Sequence, residues 1–469
     1  MNRLVACLFL LGCLLNHADD VYAQPDRSSG SIERPNILFI FTDDHRWDSL
    51  GCTGNTLIRT PHLDTIARDG VRFRQAFVTL SLCSPSRAAT LTGRYCSSNG
   101  VVKFGNFPLN EGEITFANRM SDAGYVTGVT GKWHLKNSPA ECGFEFASTC
   151  FSNGTWYNRS FRIHGEERNR KVDGFVDDVV ADESIRFLND AAAGDRPFIL
   201  WMCTQVPHMD HRHTWPANEA VLSRLNASEI SMPDSWQDDL SGKPDYLRHS
   251  RNYTKAQQEY GYGESERLSQ HIRDYYAAVE QMDASVGRVL MELEQLGLRD
   301  STWIIFMGDN GWLLGEHGMT SKVLPYEESI RVPMMICGPD TEQAENDNLV
   351  LNIDLTATIL ELAGIEQPDN IHGHSLLPLI KDDPSSTDWR ADFLYEAPAS
   401  QLGSQPLWAV RSDRWKLIST LAETGEEPFL ELYDLENDPR EMHNVASENS
   451  EVVQELNQRL SDLRSEIGE

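Results

Sequence analysis

The densest chemistry in the chain lies between Ser81 and Tyr95, which read SLCSPSRAATLTGRY. Pro85 suits the first position of a helix, where its missing N–H costs nothing, and Ser84 suits the cap before it. Such a start sets Cys83 beside free backbone amides and the positive end of a helix dipole, where an anion is welcome. Arg87, four residues on, can reach back over one turn toward whatever Cys83 carries. Taken alone, Cys83 reads more simply as a buried cysteine. The ordered string Cys-x-Pro-Ser-Arg is different, because with average residue usage roughly one chain in a thousand of this length would hold it by accident.

A second set of residues offers only hard oxygen donors: Asp43, Asp44, Asp309 and Asn310. Such donors suit Ca²⁺ and, less well, Mg²⁺, and lack the sulfur or clustered imidazole that zinc prefers. A pair such as Asp43-Asp44 also serves as a turn or cap, so its meaning depends on what stands nearby. The elements that would position these groups are apolar runs over residues 36–41, 125–130, 198–203, 303–307 and 333–337, which read as buried strands. Between them lie helical patterns, the clearest over 273–298, where Tyr275, Val279, Met282, Val286, Val289, Leu293 and Leu296 recur every three or four positions and Gly297 closes the run.

Alternating strands and helices predict an α/β fold with a large, mostly parallel sheet sandwiched by helices. In such sheets ligands bind outside the carboxyl ends of the strands. Four of the runs end there in titratable or metal-binding side chains: Asp43, Asp44 and His45; Lys132 and His134; His208; and Asp309 and Asn310. Four coincidences at one end of a sheet predict one site.

With 469 residues, 40% hydrophobic and 24% charged, the chain can bury a large core and more often divides than folds around a single one. Its formal charge of −30 argues against a surface that grips nucleic acid. Residues 340–469 carry 28 acidic against 8 basic side chains, which reads as a solvated acidic face. Residues 34–380 form the expected large domain. KDDPSSTDW, at 381–389, reads as a linker into a small C-terminal domain over 381–469. Short strands at 393–395, 407–411, 414–419 and 429–433, with a hairpin turn at Ser412-Asp413 and a helix over 451–467, make that domain a small antiparallel sheet plus helix. Between His208 and about Arg267 the chain turns polar and aperiodic, as for a long excursion over the site.

At the other end, Arg3, the apolar stretch 4–15 and Val21-Tyr22-Ala23 have the form of a signal peptide spanning 1–23, so the protein is expected to be exported, periplasmic or secreted. Leu10-Leu11-Gly12-Cys13 offers a lipoprotein anchor at Cys13 as the alternative. No later stretch reaches the roughly 18 apolar residues of a membrane span. Seven cysteines lie beyond the leader, an odd number. Cys142 and Cys150 are near enough to pair across a local loop in an oxidising compartment, whereas Cys203 reads as a small buried hydrophobe.

Six segments together resemble the formylglycine-dependent (type I) sulfatase family of the alkaline phosphatase-like superfamily. They are TDDHR at 42–46, CSPSRAATLTGR at 83–94, GKWHL at 131–135, VPH at 206–208, GDNG at 308–311 and GEHGMTSK at 315–322. Weaker echoes are YEESIRVP at 326–333 and LYDLENDP at 432–439, so the likeness runs from about Pro35 to Asp438. The resemblance implies that a formylglycine-generating maturation enzyme oxidises Cys83 to formylglycine, whose aldehyde hydrates to a geminal diol. One hydroxyl would attack sulfur, and deprotonating the other would expel sulfate from the hemiacetal and restore the aldehyde.

On the same resemblance, one Ca²⁺ is held by Asp43, Asp44, the converted Cys83, Asp309 and Asn310. Arg87, Lys132 and His134 attend the diol and sulfate. His208 and Lys322 bind sulfate oxygens and protonate or stabilise the leaving alkoxide. The implied activity is sulfate ester hydrolysis, with sulfated carbohydrate favoured as substrate. The alternatives are a phosphodiesterase or phosphonate monoester hydrolase using the same modified cysteine, and an unmodified, non-catalytic carbohydrate-binding relative.

Weaker candidates remain. His45 and Arg46 line the pocket or a turn. His211 and His213 hold zinc, touch sugar or lie in a solvated loop. His317 is structural, His372 and His374 pack the domains together, and Arg414 and Trp415 stack on a sugar or merely brace a strand.

Overall fold

The computed structural model describes residues 34–105, 107–381, 388–421 and 427–468. The leader and Cys13 lie outside the described residues, as does most of the proposed linker. Arg34–Glu469 forms one compact unit.

An eight-stranded sheet runs in the order Ala344–Leu351, Val71–Phe77, Met334–Cys337, Thr302–Gly308, Asn36–Asp43, Phe198–Pro207, Val126–Lys132 and Phe146–Cys150. Met334–Cys337 pairs antiparallel with both neighbours, and every other pairing is parallel. The mostly parallel α/β sheet is therefore present. Each of the five expected strands is found, and three further strands, Val71–Phe77, Phe146–Cys150 and Ala344–Leu351, are added. Ala344–Leu351 hides from a hydrophobicity reading because it is an edge strand whose first half is largely exposed; Glu345 and Asp347 pair there with Arg72 and Arg74 of the neighbouring strand.

Asn36–Asp43 sits at the centre and shows why an unbroken apolar run belongs there. Leu38 and Ile40 enter the core on one face, and Ile37, Phe39 and Phe41 enter the core on the other. The helix Ser265–Gln295 covers the first face with Tyr275, Val279, Met282, Val286 and Val289. It starts eight residues before the periodic apolar run suggested, because its first two turns bury little beyond Leu268, Ser269 and Ile272.

The strands Asp392–Ala397, Leu407–Ser412, Trp415–Thr420 and Phe429–Asp434 form a second, antiparallel sheet, and helix Ser450–Glu466 packs on it. Its core is continuous with residues beside the Cys83 helix, since Phe393, Leu394 and Leu417 cluster with Phe77, Leu80, Leu82 and Ala89. Cys142 and Cys150 do not pair. Both are free buried thiols, with Cys150 ending a strand of the large sheet. No helix among the described residues is long and apolar enough to cross a membrane.

Candidate active site

Strand register brings the expected residues together. Thr42 lies opposite Gly308, Asp43 opposite Pro207 and Gly131 opposite Cys203, so four strands end level with one another. Gly131 has φ +88°, and a Cβ there would stand 1.8 Å from the Cys203 carbonyl oxygen. Only glycine lets these strands approach and Lys132 emerge at their end. Asp44 and His134 have φ near +60°, and Ser321 and Val323, on either side of Lys322, have φ near +78°. Left-handed backbone thus turns the chain at Asp44, at His134 and on either side of Lys322.

The helix bearing Cys83 spans Cys83–Thr92, two residues earlier than the Ser84-Pro85 pattern suggested. Leu82 is its cap, Cys83 its first residue and Pro85 its third. Proline is tolerated because no N–H of the first turn has a partner within the helix. Ser84 does not cap; its Oγ donates to the His134 carbonyl at 2.7 Å and ties the helix to the neighbouring loop.

Around Cys83 the side chains are almost fully buried. Its Sγ lies 3.2 Å from Asp43 Oδ1 and accepts from Lys322 Nζ at 2.8 Å. Lys132 pairs with Asp43, and Lys322 with Asp44. Arg87 donates from Nε and Nη2 to Asp309 Oδ2 at 3.1 and 2.9 Å and from Nη1 to the Lys132 carbonyl at 2.8 Å, so it braces a carboxylate one helical turn from Cys83. Asp309 Oδ1 accepts from the Asp44 amide at 3.1 Å. Asn310 donates from Nδ2 to Asp44 Oδ1 at 2.6 Å and turns its Oδ1 to Lys322 at 3.3 Å.

Three carboxylates packed this tightly oppose one another. Burial raises all three; in Asp43 the cations Lys132, Lys322 and Arg87, Lys132 foremost, outweigh it and hold the group well below the usual carboxylate range. Asp44 is pushed up to about 6 by burial, against the pull of Lys322 and with the help of Asp43. Asp309 is pushed up to about 7 by burial and Asp43, against Arg87. Burial, followed by repulsion from Asp43, raises the Cys83 thiol to about 12.

These groups fit a hard divalent cation. Donor atoms of Asp43, Asp44, Cys83 and Asp309 lie within 4.8 Å of one another, and Asp44 Oδ2 is buried without a hydrogen-bond partner. Such an orphaned carboxylate oxygen is costly unless a cation takes it up.

His208 stands at the mouth, with Nε2 3.4 Å from Asp44 Oδ2. Its Nδ1 is 2.7 Å from the Met209 carbonyl, which can only accept, so the proton sits on Nδ1 and Nε2 keeps its lone pair. Asn153 Nδ2 donates to that lone pair at 2.7 Å. Burial, reinforced by Lys132 and Lys322 against Asp43, lowers His208 to about 3. His134 is likewise held well below its ordinary value by burial and then by Lys132.

Several neighbours gave no signal in the sequence. Tyr395, from the second sheet, shares a hydrogen bond with Ser81 Oγ at 2.8 Å and donates to the Val323 carbonyl at 2.6 Å, while Val323 N donates to Ser81 Oγ at 3.1 Å. One phenol thus fixes the distance between the chain before Cys83 and the chain after Lys322. Trp312 packs against His208 and under Lys322. Asn153 lies in a loop after a strand that hydrophobicity did not mark.

The weaker candidates fall outside the cluster. Arg46 spends its guanidinium on Asp48, Glu316 and the Trp312 carbonyl. It borders a cavity of about 260 Å³ with Asp48, Glu316, Glu328 and Arg440, separate from the residues around Cys83. His45 bonds Thr42, and His317 bonds Asp238 at 2.7 Å, both fully buried. His372 accepts from the Tyr95 amide, and the His374 amide donates to Asp354. His211 is half exposed beside Asp210, and neither it nor His213 joins a metal-binding group among the described residues. Arg414 lies over Trp415 and pairs with Asp434 on the second sheet.

Comparison with known proteins agrees with this geometry. The Sulfatase family model matches residues 35–365, and a model described as N-sulphoglucosamine sulphohydrolase, C-terminal, matches 315–466. An N-acetylglucosamine-6-O-sulfatase of Bacteroides thetaiotaomicron is 30% identical over 92% of this chain and 87% of its own. A solved structure described as a complex with D-glucosamine-2-N,6-O-disulfate superposes with a TM-score of 0.81 at 29% identity, covering 92% of this chain and 98% of the other. A phosphonate monoester hydrolase of Agrobacterium radiobacter, at 21% identity and a TM-score of 0.75 over 92% of this chain and 96% of its own, shares the fold. With about seven tenths of its length matched by one family model and its strand ends converging on Cys83, the chain belongs to the sulfatase family, in the alkaline phosphatase-like superfamily, and is a sulfuric ester hydrolase.

Proposed function

We propose that the protein is exported and releases sulfate from a sulfated carbohydrate, using as nucleophile a formylglycine made from Cys83 by a maturation enzyme. The observation that carries this is the position of Cys83 itself. It is the first residue of a helix at the level strand ends, within reach of Asp43 and Lys322 and beside the orphaned oxygen of Asp44. The carbohydrate comes from the relatives, which are described as acting on glucosamine sulfates.

Asp43, Asp44, Asp309 and Asn310 would hold the Ca²⁺. When bound, it would polarise a sulfate oxygen and offset charge developing in the transition state. The protein's own charges explain why such a site needs it. Asp43, Asp44 and Asp309 balance Arg87, Lys132 and Lys322, so without a further cation no positive charge is left over for sulfate.

Arg87 keeps Asp309 in place by its two-nitrogen contact. Lys132 and Lys322 are the cations nearest the nucleophile and the incoming sulfate. Lys322 keeps its proton because Asp44 and its other anionic neighbours outweigh the effect of burial, and it serves as the donor to sulfate or leaving-group oxygen. His134 and His208, neutral in the free site, accept protons; His208 becomes a donor to the leaving oxygen only after its Nε2 has taken one up. The second sheet, read as a separate domain, supports this arrangement through Tyr395.

The test uses protein matured in its own host. The peptide containing Cys83 is expected to be lighter than the cysteine form by about 18 Da, the arithmetic of replacing SH and H with a carbonyl oxygen. Cys83→Ala is expected to lower sulfate release from glucosamine 6-sulfate by roughly four orders of magnitude or more. Undiminished release by that variant would overturn the reading.

A further inference from the structure

The loop over residues 151–159, FSNGTWYNR, belongs to none of the six matched segments, yet it is anchored to both histidines of the site. The His134 amide donates to the Phe151 carbonyl at 2.6 Å. The Trp156 indole donates to the His208 carbonyl at 3.1 Å, and Asn153 reaches the His208 ring. Trp156 is buried, which makes the anchor firm.

Held in this way, the loop carries an exposed ring and an unsatisfied acceptor beside the two histidines. Phe151 is 57% exposed, and its ring stands 6.2 Å from the His134 ring in an edge-to-face arrangement. Asn153 Oδ1 is buried without a hydrogen-bond partner, as is Nδ1 of His134. A single exposed phenylalanine is ordinary on a protein surface. This one is held by backbone hydrogen bonding next to a site histidine, and an acceptor lacking a donor lies two residues away. An apolar ring face beside an unsatisfied acceptor is complementary to a pyranose, which has a face of C–H groups and a rim of hydroxyl donors.

We propose that the 151–159 loop is the leaving-group subsite, where Phe151 stacks on the pyranose ring bearing the sulfate and Asn153 Oδ1 accepts a hydrogen bond from one of its hydroxyls. The inference rests on the sulfated-carbohydrate reading above and names the residues that select the sugar. Phe151 is a specificity-determining residue, and its ring acts on binding while the bond-breaking groups lie deeper.

The test compares wild type, Phe151→Ala, Phe151→Trp and, as a surface control far along the chain, Phe429→Ala. For each, kcat and KM are measured for glucosamine 6-sulfate, together with the inhibition constant of inorganic sulfate, which has no ring. Phe151→Ala is expected to raise KM about tenfold, the loss of one ring's worth of apolar contact, with kcat within about threefold. Inhibition by sulfate should stay within about twofold. Phe151→Trp should restore KM, and Phe429→Ala should leave both constants as in wild type. If wild type releases sulfate but Phe151→Ala keeps the wild-type KM, or weakens inorganic sulfate as much as the sugar, the subsite is wrong and the activity stands. If wild type releases sulfate from no sulfated sugar, the underlying substrate reading fails, and this inference with it.

Discussion

The charges around Cys83 and those around Lys416 are buried to a similar degree, but they are satisfied differently. Lys416, on the second sheet, meets Glu327 at 2.8 Å, Glu441 at 2.7 Å and the Pro325 carbonyl at 2.8 Å. Its three donors are therefore used. Arg411 adds to Glu327 at 3.3 Å, and Glu441 also accepts from the Glu327 amide at 2.8 Å. Around Cys83, by contrast, the Asp44 oxygen has no partner, and Asp44 and Asp309 sit far above the ordinary carboxylate range. Buried charge alone does not mark a site. The Lys416 cluster closes on itself and ties the second sheet to the segments bearing Pro325, Glu327 and Glu441, whereas the Cys83 cluster keeps a buried carboxylate oxygen without a hydrogen-bond donor.

This contrast predicts opposite consequences for similar substitutions. Asp44→Asn is expected to lower kcat by roughly two to three orders of magnitude, as when a transition-state electrostatic group is lost. It should leave the thermal midpoint no lower than wild type, because it removes a carboxylate that burial opposes. A large drop in midpoint with activity retained would place Asp44 with the structural cluster. Chelation of divalent cations should mimic the activity loss.

Lys416→Met is expected to do the reverse. Stripping one partner from a buried cluster costs about 3–5 kcal/mol of stability, since Glu327 and Glu441 are left uncompensated. Per folded molecule, kcat should stay within about threefold. Equilibrium denaturation alongside active-site titration checks this, and an unchanged midpoint would show that the cluster contributes no stability.

A smaller effect separates the clusters by pH. Burial would raise Glu327, but Arg411 and Lys416 overcome it and hold the group far below its ordinary value of 4.5. A depressed carboxylate contributes stability that is present above pH 4.5 and is lost as pH falls through the lower folded value. The difference in thermal midpoint between wild type and Glu327→Gln should therefore shrink between pH 5 and pH 3. A constant difference across that interval would mean that the pairing is not electrostatic.

The smallest effect concerns the surface. A net charge of −30 repels a polyanionic substrate at long range, so moderate salt should relieve that repulsion and leave turnover of a sulfated polymer nearly unchanged. A steep fall with salt would indicate attraction by a basic surface instead.

Much of the site was legible because chemistry and hydrophobic pattern coincide at strand ends. Asp43, Lys132, His208 and Asp309 each follow a run of buried apolar residues, and a parallel sheet must bring such ends to one edge. What could not be read depends on contacts between residues far apart in the chain. Tyr395 lies 314 positions from Ser81, to which it bonds, and its own segment, FLYEA, reads as an ordinary short strand. Arg87 is the instructive case. One helical turn from Cys83, it also meets Asp309, which the folded chain sets beside it, through Nε and Nη2 on one carboxylate oxygen, a contact the local spacing does not announce.

The amino-acid order alone determined the family, the α/β class and which side chains gather at the strand ends, since hydrophobic periodicity and short motifs are local properties. Tertiary structure alone decided how those side chains share their bonds. It left Asp44 with an oxygen lacking a hydrogen-bond donor, closed the shell of Lys416, put the proton of His208 on Nδ1 and set the exposed Phe151 ring beside His134. The reason is that each of these outcomes depends on which distant backbone carbonyl, carboxylate or ring occupies the remaining few ångströms.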